Sequence, residues 1–381
     1  MERKPTVIIT IPCLLLGGTE IQTLKLARVL ISGGYFVSVC CYYEYDNRMV
    51  DAFRKTGAEI ILMDLDRSQG LLSLIRNLIA LFHENKPDFV HVQYMAPGFA
   101  PIVAARLSGV RNILATVHQP GRNYNLKAKC LLRGAAFLCS SFFCVSQAAD
   151  KSWFGSSELF EPGEELRSSR KHYTIYNAID FAEIESIIAS TDSFQLKKSL
   201  GIDNCSIVGV VGRLREEKGQ VTLIKAMPKV IQTIPNTCLL VVGDGPDKNK
   251  LQAMAVNMGV NDHICWIGEK EPNDVISYYS IIDVAVSPSK FEGFGLAAAE
   301  AMAAGCPVIA SNIDGLNEVV THGRTGFLVA EGDSSALSDH IIELLFDMDK
   351  AAAMGKEGRK KVKRLFSVER FAETILEVYR S

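Results

Sequence analysis

Residues 287–311 read SPSKFEGFGLAAAEAMAAGCPVIAS, and the reading of the whole chain turns on them. Glu292 and Glu300 stand with seven residues between them, around the turn Gly293-Phe294-Gly295 and ahead of a run of alanines. Glycines let a backbone come close to a ligand, and they leave the amides of Gly295 and Leu296 free at a helix start. An anionic group, above all a phosphate, is well held there. Glu292 falls in the loop, whereas Glu300 projects from the early helix. One carboxylate would face a polar substrate while the other accepts hydrogen bonds from a hydroxylated group further along. Taken by themselves, these residues also fit a loop-to-helix joint packed by alanine and glycine.

Outward from this stretch, short apolar runs alternate with helical patterns. In the first half the runs are residues 7–11, 36–41, 59–63, 89–92, 112–117 and 142–145, with helices expected over 20–30 and 71–83. Unbroken apolar runs suit parallel strands covered on both faces, and the alternation argues for a doubly wound α/β domain. A charged, loop-like segment, ELFEPGEELRSSRK (158–171), precedes a run at 173–176, and the rhythm then restarts. Strands are expected at 207–211, 238–242, 264–267, 284–286, 308–310 and 326–329, and a last helix at 368–379. Two domains fit the length of 381 residues, since single cores stop growing near roughly 250–300.

Composition narrows the class. At 48% hydrophobic and 22% charged the chain is ordinary for a soluble protein. The apolar N-terminal stretch is broken by Pro12 and Gly17-Gly18 and does not resemble a signal peptide. No run approaches the roughly 20 apolar residues of a membrane span. Ten cysteines without metal-ligand spacing, several in apolar runs (Cys13, Cys40, Cys205, Cys238, Cys265), read as reduced core residues, so a cytoplasmic location is expected. Nothing points to nucleic acid. Residues 1–178 carry 20 basic and 15 acidic side chains against 21 and 28 in the remainder. Residues 101–151 hold seven basic residues and one acid, Asp150. Such a field attracts anionic partners or an acidic membrane face, unless the fold brings acids to balance it. Within it, residues 122–143 are expected as a core-packed helix with a basic outer face, followed by a strand that takes Phe142 and Phe143. The other reading is a segment lying on a membrane or receiving a lipid-linked acceptor.

Four further elements fall at the ends of expected strands, where open parallel sheets bind ligands. Gly17-Gly18-Thr19-Glu20 follows the first; Thr19 with Gln22 makes a capping box, which leaves the two glycines free to approach a phosphate. Gly212-Arg213-Leu214-Arg215-Glu216-Glu217-Lys218-Gly219 closes the first strand of the second half and is otherwise an exposed basic turn. Gly243-Asp244-Gly245-Pro246 is a tight turn, most of it scaffold. His118, in TVHQPG, ends a first-half strand; a lone histidine is more often structural. Asp64-Leu65-Asp66 has the D-x-D form of metal-diphosphate sites, yet lies far in sequence from the other elements and reads as a solvated acidic turn.

The motif E-G-F-G-x4-E at Glu292–Glu300, with the small-residue helix, Gly305 and Pro307 after it, resembles that of glycosyltransferase family 4. So do G-R-L-x3-K-G at 212–219 and G-x-G-P at 243–246. The resemblance covers nearly the whole chain. It implies the GT-B fold, two Rossmann-like doubly wound domains facing across a cleft. Residues 1–176 with the helix at 367–381 would form the acceptor side, and 177–366 the domain for the nucleotide-sugar donor. It implies a retaining transfer from a nucleotide diphosphate sugar, UDP by family frequency, with no metal and no cofactor. Glu300 would accept hydrogen bonds from the ribose hydroxyls. Arg213, Lys218 and the amides at Gly295-Leu296 would hold the diphosphate, and Gly243 and Phe294 would border the donor. Glu292 and His118 would position the sugar, with Gly17 and Gly18 closing over it. The acceptor would be a glycan or a lipid-linked molecule of cell-surface polysaccharide or glycolipid synthesis, with peripheral contact to the inner face of a membrane. Asp314-Gly315-Leu316-Asn317-Glu318 departs from the family's G-G-x-P-E, so no donor contact is assigned there. A nucleotide-sugar epimerase on the same architecture and a non-catalytic nucleotide-sugar-binding subunit are the alternatives.

Overall fold

The computed structural model describes residues 3–94, 99–164, 166 and 171–381; part of the charged segment 158–171 lies outside them. The chain forms two compact units, one of Met1–Ala178 with Val368–Ser381 and one of Ile179–Ser367. The sequence-based boundaries at 176 and 367 fall within two residues of these. Ile179 and Ser367, the ends of the second unit, pair as a parallel bridge.

The first unit is a seven-stranded parallel sheet: β1 (Thr6–Ile11), β2 (Phe36–Cys41), β3 (Glu59–Leu62), β4 (Phe89–Tyr94), β5 (Asn112–Val117), β6 (Ser141–Cys144) and β7 (His172–Thr174), in the order β3-β2-β1-β4-β5-β6-β7. Its strands are mostly apolar because alternate side chains feed different layers. Val7, Ile9 and Ile11 enter one core with the helices Gly18–Ser32 and Val368–Arg380, and Ile8 enters another with Gly70–Asn85 and Leu126–Leu138.

The second unit holds β8 (Ser206–Val211), β9 (Thr237–Val242), β10 (Ile264–Gly268), β11 (Val284–Ser287), β12 (Val308–Ser311) and β13 (Gly326–Val329) in the order β10-β9-β8-β11-β12-β13. In both units the first strand sits in the middle. The chain winds to one side, then returns to the other, so the direction switches at β1/β4 and again at β8/β11. The loops that leave the carboxyl ends of the two strands at such a switch are where open parallel sheets bind ligands.

The capping box expected at Thr19 and Gln22 does not form. Gly17 is the N-cap of the helix Gly18–Ser32, with no side-chain cap. Gln22 is instead buried and clasps Ala178 on both sides. Its amide nitrogen donates to the Ala178 carbonyl at 3.0 Å, and its oxygen accepts from the Ala178 N–H at 2.8 Å. Lys25 donates to the same carbonyl at 2.7 Å. Satisfying the buried backbone at Ala178, where the chain leaves the first unit, outweighs a local cap that water can replace.

Candidate functional site

In the second unit the loops after β8 and β11 meet at the switch point. Gly219, in the left-handed region at φ 66°, comes so close to the Pro288 carbonyl that a β-carbon there would stand 1.9 Å from its oxygen. Only glycine allows that approach. Lys290 N–H donates to the Glu217 carbonyl at 2.8 Å, and Lys290 Nζ to Glu216 at 3.0 Å. The two loops are therefore stitched together, and Lys218 Nζ donates directly to Glu292 Oε1. The Ser289 hydroxyl donates to the same oxygen at 3.1 Å. The expected diphosphate cation and the expected sugar-positioning carboxylate thus neutralise each other across 74 residues of sequence.

Arg213 is exposed at the end of β8, its carbonyl accepting from the buried Gln220 side chain at 3.0 Å. The Gly243 turn joins the same edge: Leu214 N–H donates to the Asp244 carbonyl at 2.9 Å, and Gly243 N–H to Gly268. Gly295, at φ 101° and ψ 53°, is the N-cap of the helix Leu296–Ala304 and carries no side-chain cap. First-turn amides are then left for an outside acceptor. The departure at Asp314–Glu318 proves to be a support. Gly315 lies under the Glu292 and Gly293 carbonyls, and buried Leu316 lies under Gly295.

Glu300 is half-buried on that helix, with the buried Tyr279 hydroxyl 3.4 Å from its Oε2 and 3.2 Å from the Ala297 carbonyl. Phe294 is turned inward: it is 2% exposed and packs edge-to-face on Phe366, centroids 5.0 Å apart. Any donor contact at this position is left to its backbone.

The carboxyl edge of the first unit is different. His118 Nε2 stands 2.7 Å from the buried Gln93 amide oxygen, so Nε2 carries the proton and Nδ1 keeps its lone pair. Burial holds the imidazole neutral, its pKa lowered to about 4. His91, one strand in, bridges the Tyr379 hydroxyl and the Thr116 hydroxyl at 2.8 Å each. Burial, with His118 adding to it, lowers its pKa to about 3. Around Gly17, Glu20 folds back until its Oε2 is 2.6 Å from where a Gly17 β-carbon would stand. Burial raises the pKa of this carboxyl, which also accepts from the Cys13 thiol at 3.5 Å. The anion-favouring end of this helix therefore already holds a carboxylate of the protein.

Asp66 caps the short turn Arg67–Gln69 through Ser68 N–H at 2.7 Å, and Asp64 sits at φ 48°. Among the described residues no group of three or more His, Cys, Asp or Glu is placed to hold a metal ion. Gln93, Ser289 and Tyr279 were not singled out in the sequence. Each is an ordinary strand, loop or helix residue until the fold brings it against His118, Glu292 or Glu300.

Two family models match the chain: Glycosyltransferase Family 4 over residues 16–153 and Glycosyl transferases group 1 over residues 192–361. The chain is 26% identical over 311 residues to N-acetyl-alpha-D-glucosaminyl L-malate synthase of Bacillus anthracis, covering 81% of this chain and 78% of that protein. It is 34% identical over 175 residues to a GDP-mannose-dependent phosphatidylinositol monomannoside mannosyltransferase of Mycobacterium tuberculosis, covering 44% of this chain and 46% of that one. Anabaena HepE, solved with UDP and glucose, superimposes with a TM-score of 0.81 at 22% identity over 98% of this chain and 99% of its own.

Proposed function

We propose that this chain, which belongs to glycosyltransferase family 4 and has the GT-B fold, moves a sugar from a nucleotide diphosphate sugar to a glycan or lipid-linked acceptor with retention of anomeric configuration. One observation carries the reading: Lys218, Glu292 and the uncapped helix start at Gly295 are gathered at the β8/β11 switch point. The diphosphate takes Lys218 from Glu292, with Arg213 and the amides of Gly295-Leu296 as its other partners. Glu292, released, turns to the sugar hydroxyls, and Glu300 takes the ribose. Charge grows on the departing nucleoside diphosphate as the bond to the anomeric carbon breaks, and fixed cations with aligned amides stabilise it. The acceptor oxygen bonds to that carbon from the same face, and its proton passes to the leaving phosphate oxygen. Arg213 and Lys218 supply the positive charge, so the transfer needs no metal and no cofactor.

His118, a neutral acceptor, receives a hydroxyl of the transferred sugar. Gly17 and Gly18 close on the sugar rather than on phosphate, because Glu20 repels a second anion. UDP is the nucleotide of choice, supported by the UDP complex of HepE; the mannosyltransferase relative makes GDP the alternative. The names of the two relatives support a glycolipid or small glycoside as product, and synthesis of cell-surface polysaccharide or glycolipid at the cytoplasmic side of a membrane fits this chemistry. A thermal-shift screen of UDP- and GDP-sugars, followed by mass spectrometry of products with an acceptor panel, tests it. One donor should stabilise the protein and yield a new glycoside. A sugar isomer formed without acceptor, or binding without turnover, would replace it with one of the alternatives.

A further inference from the structure

Strand residues two apart share one face of a sheet. His91 and Gln93 do so near the end of β4, and Thr116 stands opposite Gln93 on β5. That face packs against apolar side chains of the helices Gly18–Ser32 and Val368–Arg380, so polar residues on it must find partners. His91 has two, the hydroxyls of Tyr379 and Thr116. Gln93, 2% exposed, is only half satisfied. Its oxygen accepts from His118, but its nitrogen has no partner among the described residues. Asn177, 7% exposed, has no side-chain hydrogen bond at all among them. Gln93, His118 and Asn177 line one pocket at the carboxyl edge of the first unit, walled by Phe143, Ile175, Phe371 and Ile375. No Asp, Glu, Lys or Arg lines it.

We infer that this pocket seats the acetamido group of an acceptor that carries an N-acetylated amino sugar. The Gln93 nitrogen donates to the acetamido carbonyl, the Asn177 oxygen accepts from its N–H, and the methyl lies on the apolar walls. An acetamido group offers one acceptor, one donor and a methyl, the complement of what the pocket leaves open. A carboxylate would be buried with no cation to pair it, at a high cost. A hydroxyl would leave one of the two amides unpaired and the walls uncovered. The inference rests on the reading above in taking the first unit as the acceptor side, and it leaves His118 Nδ1 to the sugar hydroxyl assigned there.

Saturation-transfer NMR of the full chain tests it without donor or sugar transfer. The probes are the methyl glycosides of N-acetylglucosamine and N-acetylgalactosamine, each paired with the glycoside of glucose or galactose. An N-acetyl glycoside should bind with its strongest saturation on the acetyl methyl. Its hydroxyl counterpart should bind about tenfold more weakly, because the buried amides then lose their partners. Asn177→Leu should weaken the N-acetyl glycoside about tenfold and leave the counterpart unchanged. This side chain has no hydrogen bond to lose among the described residues, so circular dichroism should show the variant folded. Equal binding within each pair, saturation spread evenly over the ring protons, or no binding by any glycoside would overturn the proposal. So would an Asn177→Leu variant that binds as the wild type does. Donor binding is read separately by the thermal-shift screen: a protein stabilised by a nucleotide sugar yet blind to the acetyl group loses this inference and keeps its proposed function.

Discussion

The two units share one winding and treat their switch points in opposite ways. At β8/β11 the second unit pairs full charges, Lys218 on Glu292, and lines the crevice with backbone that only glycine permits. On β4 and at the end of β5 the first unit keeps two histidines neutral, with His118 on Gln93 and His91 between Tyr379 and Thr116. Paired charges can be exchanged for those of a ligand at little cost, because a newcomer replaces one partner with another. Buried neutral imidazoles cannot take up charge cheaply, but they hold hydroxyls in a set direction. On the proposed function, the same scaffold serves as a seat for an anion in one unit and a seat for a polyol in the other.

The contrast is open to attack at several points. The sharpest concerns Phe294, whose ring serves the core of the second unit. Phe294→Ala should cost about 3–5 kcal/mol of stability, read by denaturant unfolding. A variant of native stability that fails only to bind donor would reverse that assignment. Next is the pair itself. Lys218→Ala and Glu292→Gln should each lower turnover by about 10²–10³ and leave the fold intact. The double variant should fall well short of the product of the two, because the residues are partners.

Acid should strike the first unit selectively. The folded pKa of His91 lies near 3, below the 6.5 of an unperturbed imidazole. The unfolded chain therefore binds its proton first as pH falls. The stability this neutral group confers is complete above pH 6.5 and is lost between 6.5 and about 3. By pH 4 the loss from His91 is on the order of 3 kcal/mol. Urea unfolding at pH 7 and pH 4 measures it, and His91→Gln should flatten the dependence. An acid sensitivity unchanged in that variant would mean that the buried histidine is not its source. The smallest effect expected is for Gln93→Leu, which frees the His118 ring to adopt either tautomer. Turnover should drop about tenfold with donor affinity kept, and the nitrogen shifts of His118 should report the lost preference.

Much of this frame was legible beforehand because strands buried on both faces carry unbroken apolar runs. The runs Val7 to Ile11, Cys238 to Val242 and Val308 to Ala310 all lie within β1, β9 and β12. The loop at Glu292 and the turn at Arg213 were legible too, since glycine next to charge at a strand end has few purely structural uses. Contacts made across long separations were not. Gln22 reads as half of a local cap until Ala178, 156 residues away, claims it. Phe294 reads as part of the ligand loop until Phe366 covers it. Nothing in the alternation of β4 tells His91 from any other strand residue; the Tyr379 hydroxyl that satisfies it arrives on the last helix. The helix Leu126–Leu138 shows the same limit, because periodicity located its buried side but not how much apolar surface faces out.

The central claim is that positive side chains at the β8/β11 edge grip a nucleoside diphosphate. Calorimetric titration of UDP, and of GDP in parallel, into the wild type and an Arg213→Ala/Lys218→Ala variant tests it most directly. One nucleotide should bind the wild type, and the variant should bind it about a hundredfold more weakly while unfolding at the same temperature. Equal affinity in the two proteins would contradict the account.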